Sequence, residues 1–265
     1  RKKMDSTREF FAHHQWKDVL GTSSVIRRVV TEGKTLAEME DPVALIGENG
    51  TGKSFFAQCI HNGSPRAKKP YIVINAGTIA QQDAARVLFG SDDGAKPRMG
   101  LFELAGGGTI ALQGLGDASE AFFSCLRQVL LQHSYFAVGG VTTIPFSARL
   151  LALVTPEERR RIPRDLWDQL SVFFLNLPLL KDRQEDVSTL FRFFLLRESI
   201  LMPPRTQKEL EEILSFYSWP ANLISLSAVS KRYILLYQQA MNPSPSAKQQ
   251  ILIRAIGEDE LLSDI

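Results

Sequence analysis

Gly47-Glu-Asn-Gly-Thr-Gly-Lys53-Ser54 is the segment whose residue types and spacing bear most directly on chemistry. It fits the phosphate-loop pattern G-x-x-x-x-G-K-[ST] at every fixed position. Gly47, Gly50 and Gly52 let the backbone curl until successive N–H groups face one anion, with Glu48, Asn49 and Thr51 completing the loop. A helix opening near Lys53 would add the positive end of its dipole. The Lys53 ammonium could then reach the β- and γ-phosphates of ATP or ADP, and the Ser54 hydroxyl could hold Mg²⁺. Hydrolysis asks for more: an acidic residue at the end of a neighbouring strand, to orient metal and water. The strand after Gly106-Gly-Gly108 instead runs Thr109-Ile-Ala-Leu-Gln113-Gly114. Gln113 and Gly114 stand where an acidic pair is expected. The carboxylates that could substitute are Glu48, Glu103 and Asp117. His13-His14 has no cysteine or carboxylate array beside it and reads as a surface pair rather than a metal site. Cys59 falls within the loop's helix and reads as a core residue.

The elements that must position the loop are short apolar runs separated by helices. Val43–Ile46 reads as a buried strand leading into the loop, and 54–61 as the helix leaving it. Further buried strands are expected at 70–75, 109–112, 149–154 and 173–177, with helix between them, notably over 118–132. That pattern predicts an α/β fold, a parallel sheet covered on both faces. A helix over 25–39 is expected, with Gly33 as an interruption. After Pro178 the pattern is helical only, with helices expected over 186–199, 206–217 and 222–239. Asn242-Pro-Ser-Pro-Ser246 reads as a linker, with a last short element from Lys248.

The 265 residues suffice for one large α/β domain, or a medium domain with a small one. Hydrophobic residues at 44% and charged residues at 23% fit a soluble globular chain, and no apolar run approaches the ~18 residues of a membrane helix. A formal net charge of +2 argues against a strongly basic nucleic-acid module. Two cysteines, Cys59 and Cys125, make no disulfide framework. A cytoplasmic chain is expected, and its start at Arg1 suggests a piece of a longer protein.

Over residues 18–235 the sequence resembles the central AAA+ domain of bacterial enhancer-binding transcription activators. The resemblance is carried by Val19-Leu-Gly-Thr22, Gly47–Ser54, Ile60-His61 with Ser64 and Arg66, Leu88-Phe-Gly90, and Gly100-Leu-Phe-Glu103 with Ala105. It continues through Gly107-Gly-Thr109, Leu126 with Val129-Leu130, Val138-Gly139, Arg164-Asp-Leu166, Leu177-Pro178 with Arg183 and Glu185-Asp186, and Trp219-Pro-Ala-Asn222. It implies a Rossmann-like αβα sandwich over 19–180 after an N-terminal segment 1–18, a helical lid over 181–240, and a linker over 241–265 toward an absent DNA-binding domain. It further implies self-association as a dimer or ring, nucleotide held between subunits, and RNA polymerase and DNA as partners, with no membrane.

The departures from the family narrow the expectation. Walker B is Gln113-Gly114 rather than Asp-Glu, and the hexapeptide that touches sigma-54 is missing between Gly90 and Gly100. Thr155 stands at sensor I. Arg164 matches one arginine-finger position, Gln169 replaces the second, and Ile224 replaces the sensor II arginine. Together these imply a regulator that binds nucleotide without efficient hydrolysis and acts with housekeeping rather than sigma-54 polymerase. The alternatives are a working ATPase with an atypical acid, or a structural oligomerisation module with an empty loop. In cyclic-di-GMP-responsive members the dinucleotide binds outside the loop, which here implicates Gln15, Trp16, Lys17, Asp18 and the lid residue Arg197. Phe193 and Gln58 depart from that pattern, where an acid and an arginine are usual.

Overall fold

The computed structural model describes residues 11–92, 97–201, 204–240 and 243–257. The chain divides into two compact units. The first takes in residues up to Asp18, Val30–Gly47 and Lys53–Leu177; the second takes in Val19–Val29, Glu48–Gly52 and the chain from Pro178.

The first unit is built on five parallel strands: β1 (Val43–Ile46), β2 (Tyr71–Asn75), β3 (Thr109–Gln113), β4 (Arg149–Val154) and β5 (Phe173–Asn176). Their order across the sheet is β2-β3-β4-β1-β5. All six residues of β4 are buried, as befits a central strand covered on both faces. The helices in chain order are α1 (Ser24–Ala37), α2 (Lys53–Asn62), α3 (Ala84–Phe89), α4 (Leu101–Ala105), α5 (Glu120–Gln132), α6 (Pro156–Arg161) and α7 (Arg164–Leu170). The core joins Ile72, Ile110, Leu112, Phe122, Leu126 and Leu150 from sheet and helices. Helix α5 starts two residues later than 118, because the Ser119 hydroxyl accepts from Phe122 N and sets the cap there.

Gly33 does not interrupt α1. A Cβ at Gly33 would collide with the Trp16 ring, so the missing side chain makes room for the indole rather than breaking the helix. The Arg149 guanidinium receives the last turn, donating to Leu36 O at 2.7 Å and Ala37 O at 3.3 Å. Burial lowers its pKa to about 10, and the carbonyl end of the helix dipole is a favourable place for its charge.

His61 is buried on α2, with Nδ1 2.8 Å from the Thr109 hydroxyl and its ring against Tyr71. Burial, then the charges of Arg149 and Arg66, push its pKa down to about 4. The folded chain therefore resists a proton that the unfolded chain accepts near pH 6.5. Stability should be full above pH ~6.5 and fall by up to ~1.4 kcal/mol per pH unit on the way to pH 4. Urea midpoints of wild type and His61→Leu across that window check this: the variant's slope should be flatter.

The second unit is helical: α8 (Gln184–Arg197), α9 (Pro204–Phe216), α10 (Leu223–Gln239) and α11 (Pro245–Ile256). Its core gathers Leu190, Phe191, Leu214, Trp219, Tyr233 and Leu252. Helix α11 stands where a last short element is expected from Lys248, and begins three residues earlier. Ser244 caps its start by accepting from Ala247 N, Pro245 takes the first turn, and Ile251, Leu252, Ala255 and Ile256 are buried. The last residues, 258–265, lie outside the described ones. The start of α1 belongs to this unit. Asp186, fully buried, accepts from Thr22 N at 2.7 Å, Ser23 N at 2.9 Å and the Ser23 hydroxyl at 2.6 Å.

Candidate functional site

Strand β1 ends at Ile46, and Gly47 N donates to Val154 O at 3.1 Å, which holds the first loop residue beside the end of β4. Helix α2 begins at Lys53. The Lys53 ammonium donates to Gly47 O at 2.6 Å. Gln113 closes β3, and its Nε2 donates to the Ser54 hydroxyl oxygen at 2.9 Å. Gly114 follows in the left-handed region at φ +63°, and a Cβ there would stand 2.5 Å from Asn75 Oδ1 at the end of β2. This edge of the sheet thus presents Asn75, Gln113 and Thr155, all neutral. Asp117 pairs with Arg161 at 2.7 Å, and Glu103 lies on the short helix α4. Glu158 accepts from Thr155 N at 2.7 Å, as half of a capping box that starts α6.

The middle of the loop groups with the second unit. Gly50 and Gly52 take φ of +79° and +103°. Buried Thr51 donates its hydroxyl to Glu48 O at 2.8 Å and pins the turn. The turn Trp219–Leu223 grips the loop's carbonyls: Asn222 Nδ2 donates to Asn49 O at 2.9 Å and Leu223 N to Gly50 O at 3.1 Å. Asn222 also accepts from Leu180 N at 2.7 Å. Its role in fastening the loop had no signal in the sequence beyond membership of the Trp219–Asn222 motif. Glu48, Asn49, Leu179, Lys181, Trp219 and Pro220 line a cleft of about 500 Å³ beside this turn.

Magnesium does not fit this donor set. The Ser54 oxygen faces an N–H, and the strand end that would bring a carboxylate brings an amide. Among the described residues, no group of three His, Cys, Asp or Glu side chains is placed to hold a metal ion.

Arg164 is 94% exposed at the start of α7, with Asp168 4.0 Å away. Gln169 turns its amide back to Asp165 O on its own helix at 3.3 Å. Ile224 is exposed. Arg159 stacks on Trp167. Trp16 opens a short 3-10 turn, Trp16–Asp18, and its indole fills a slot between two glycines. A Cβ at Gly63 would lie 2.5 Å from Trp16 Nε1, one at Gly33 would strike the ring, and Phe56 packs beside it. Trp16 packs here as an anchor of the N-terminal strap. The strap around it is held by Gln58, whose Oε1 accepts from His13 N at 2.8 Å, and by Asn62, which donates to His14 O at 2.8 Å. Asp18 Oδ2 accepts from Gln15 N, and Lys17 is exposed. Arg197, in the second unit, lies over the exposed Phe193 ring at 5.9 Å. Cys59 is buried, and its pKa is pushed up to about 12 by burial and Asp18, so its thiol is inert.

The Sigma-54 interaction domain matches residues 19–176. The chain belongs to that family. The sheet, with helices around it and helices after it, is its α/β AAA+ fold. This chain is similar to the Nif-specific regulatory protein of Sinorhizobium fredii, with 34% identity over 238 residues, 84% of this chain and 39% of the relative. It is also similar to the DNA-binding transcriptional activator HyfR of Escherichia coli, with 31% identity over 260 residues, 92% of this chain and 39% of the relative. The chain thus spans about two fifths of these relatives. In fold it is similar to NtrX from Brucella abortus, solved in complex with ATP, at a TM-score of 0.76 and 24% identity over 91% of this chain and 55% of that one. Among the described residues, no helix of this AAA+ domain is long and apolar enough to cross a membrane.

Proposed function

We propose that this AAA+ domain is the regulatory core of a DNA-binding transcription regulator and binds ATP or ADP without hydrolysing it efficiently. The observation that carries the reading is the pairing of a complete phosphate loop, Gly47–Ser54, with a neutral amide at the end of β3. The groups that bind phosphate are present: loop N–H groups, the start of α2, Lys53 and Ser54. Those that act after binding are replaced at Gln113, Gly114, Gln169 and Ile224. Gly90–Ser91 and Arg98–Met99 pair as two short antiparallel strands, and the sequence between them lacks the family's sigma-54 hexapeptide. That supports action with the housekeeping polymerase, through a DNA-binding domain outside this chain. Self-association as a dimer or ring, with the exposed Arg164 as its arginine finger, completes the proposal.

Titration with ATP and ADP tests it. Micromolar to millimolar affinity is expected, with Lys53→Ala weakening it ten- to a hundredfold, since a charged hydrogen bond contributes ~1.5–3 kcal/mol. A folded chain that binds neither nucleotide would instead favour a structural oligomerisation module.

Cyclic di-GMP belongs to the same proposal as a second ligand, in likeness to the biofilm regulator VpsR. Its support is narrower than the residue pattern suggests. Lys17 and Arg197 are exposed, and Arg197 with Phe193 offers a cation and an aromatic on one helix face. The Trp16 ring is wedged between Gly33 and Gly63, so it contributes packing to the segment that carries Lys17.

A further inference from the structure

We infer that the phosphate site of this chain works without a divalent cation: the Gln113 amide occupies the place at Ser54 that magnesium would need. The inference rests on the nucleotide-binding reading above and specifies the ligand as a metal-free nucleoside phosphate. In a phosphate loop of the ordinary kind the Ser or Thr oxygen ligates Mg²⁺, and a strand-end carboxylate orients the ion's shell. Magnesium demands hard oxygen ligands in near-octahedral array at ~2.0–2.1 Å. Here Gln113 Nε2 donates to Ser54 Oγ at 2.9 Å, placing the positive end of an N–H dipole on that oxygen. Reversing the amide would leave Ser54 donating to a neutral carbonyl, with still no charge to draw a cation.

The surroundings agree. Asn75 pairs in register with Gln113 across β2 and β3, so the adjacent strand end is also neutral. The Thr155 hydroxyl is taken by Glu158 N at 3.1 Å. The carboxylates of Glu158 and Asp117 are held by Thr155 N and Arg161. The groups at this strand end and helix start are donors rather than acids: the Gln113 amide, the Ser54 hydroxyl and the first N–H groups of α2, with the Lys53 ammonium donating to Gly47 O. Such a set meets a phosphate with donors alone, and a cation at Ser54 would have to displace the Gln113 amide.

The test is calorimetric titration of the chain with ATP and with ADP, once in millimolar Mg²⁺ and once in EDTA. Dissociation constants within about threefold of each other are expected. Gln113→Asp should reverse this, binding at least tenfold more weakly in EDTA than in Mg²⁺, because an acceptor-only carboxylate then faces the phosphates unless a cation lies between. A wild-type loss in EDTA greater than threefold overturns the inference and leaves the nucleotide reading standing. No binding under either condition overturns both. The wild-type comparison needs no variant to fold.

Discussion

ATP mixed with this chain should remain ATP, with phosphate release at least 10³-fold below an ordinary turnover of about one per second. The expectation follows from several independent losses. Gln113 brings no negative charge to the end of β3, and Gly114 has no side chain to activate water. Gln169 is bonded to Asp165 O of its own helix, and Ile224 is apolar and exposed. An arginine finger alone can be worth ~10³–10⁵ in rate. A working ATPase needs a replacement acid; of the candidates Asp117 pairs with Arg161 and Glu103 lies on the short helix α4, and Glu158, beside Thr155, serves a capping box. The backbone has also adapted to the loss. Gly114 sits at φ +63° against Asn75, so Gly114→Glu places a side chain in a left-handed residue at a cost of ~1–2 kcal/mol and into a contact already filled. The double variant Gln113→Asp/Gly114→Glu should therefore stay inactive. A phosphate-release assay of wild type, Lys53→Ala and the double variant decides the matter. Lys53-dependent release near one per second in wild type would identify an atypical ATPase.

How far the sequence carries depends on how local each determinant is. The five strands were legible because each is a short apolar run, buried almost throughout in the inner strands β1, β3 and β4 and only in part in the edge strands β2 and β5, and runs of that kind have few other uses in a chain alternating with helices. The phosphate loop was legible because its spacing is contiguous. The Gln113–Ser54 bond was not, since it joins residues 59 apart and arises from the strand order that brings β3 near the start of α2. The packing partners of Trp16 were hidden for the same reason. An aromatic beside Lys17 looks like a ligand surface, and the slot it fills is made by Gly33 and Gly63, far along the chain. The start of helix α11 was hidden by Pro243-Ser-Pro-Ser246, a linker-like composition. Yet Ser244 followed by Pro245 is also a helix-start signal, and the burial of Leu252 and Ile256 decided which meaning applied.

Replacing Asp186 with alanine should cost the helical unit ~3–5 kcal/mol, the penalty of removing one side of a buried charged network. In the sequence Asp186 is merely one of several motif residues; in the fold it is a fully buried carboxylate. It satisfies the Thr22 and Ser23 N–H groups and the Ser23 hydroxyl, and so fastens the start of α1 to α8. Gly21 lacks a side chain where one would strike the carboxylate, with a Cβ 2.7 Å from Asp186 Cγ. Arg183 is buried one turn earlier. Burial pushes its pKa down and the Asp186 charge pushes it back up, so alanine also leaves a guanidinium with less compensation. Asn is the informative control. Its carbonyl can keep both Oδ1 bonds, from Thr22 N and Ser23 N, while the charge and the short bond from the Ser23 hydroxyl are lost. Asp186→Asn should therefore cost ~1–3 kcal/mol. Hydrogen exchange of the Thr22 and Ser23 amides reads the effect directly, with protection expected to fall at least a hundredfold in the alanine variant and less in the asparagine variant. Equal protection in all three proteins would show that the segment is held by packing of Leu20 and Ile26 rather than by the carboxylate.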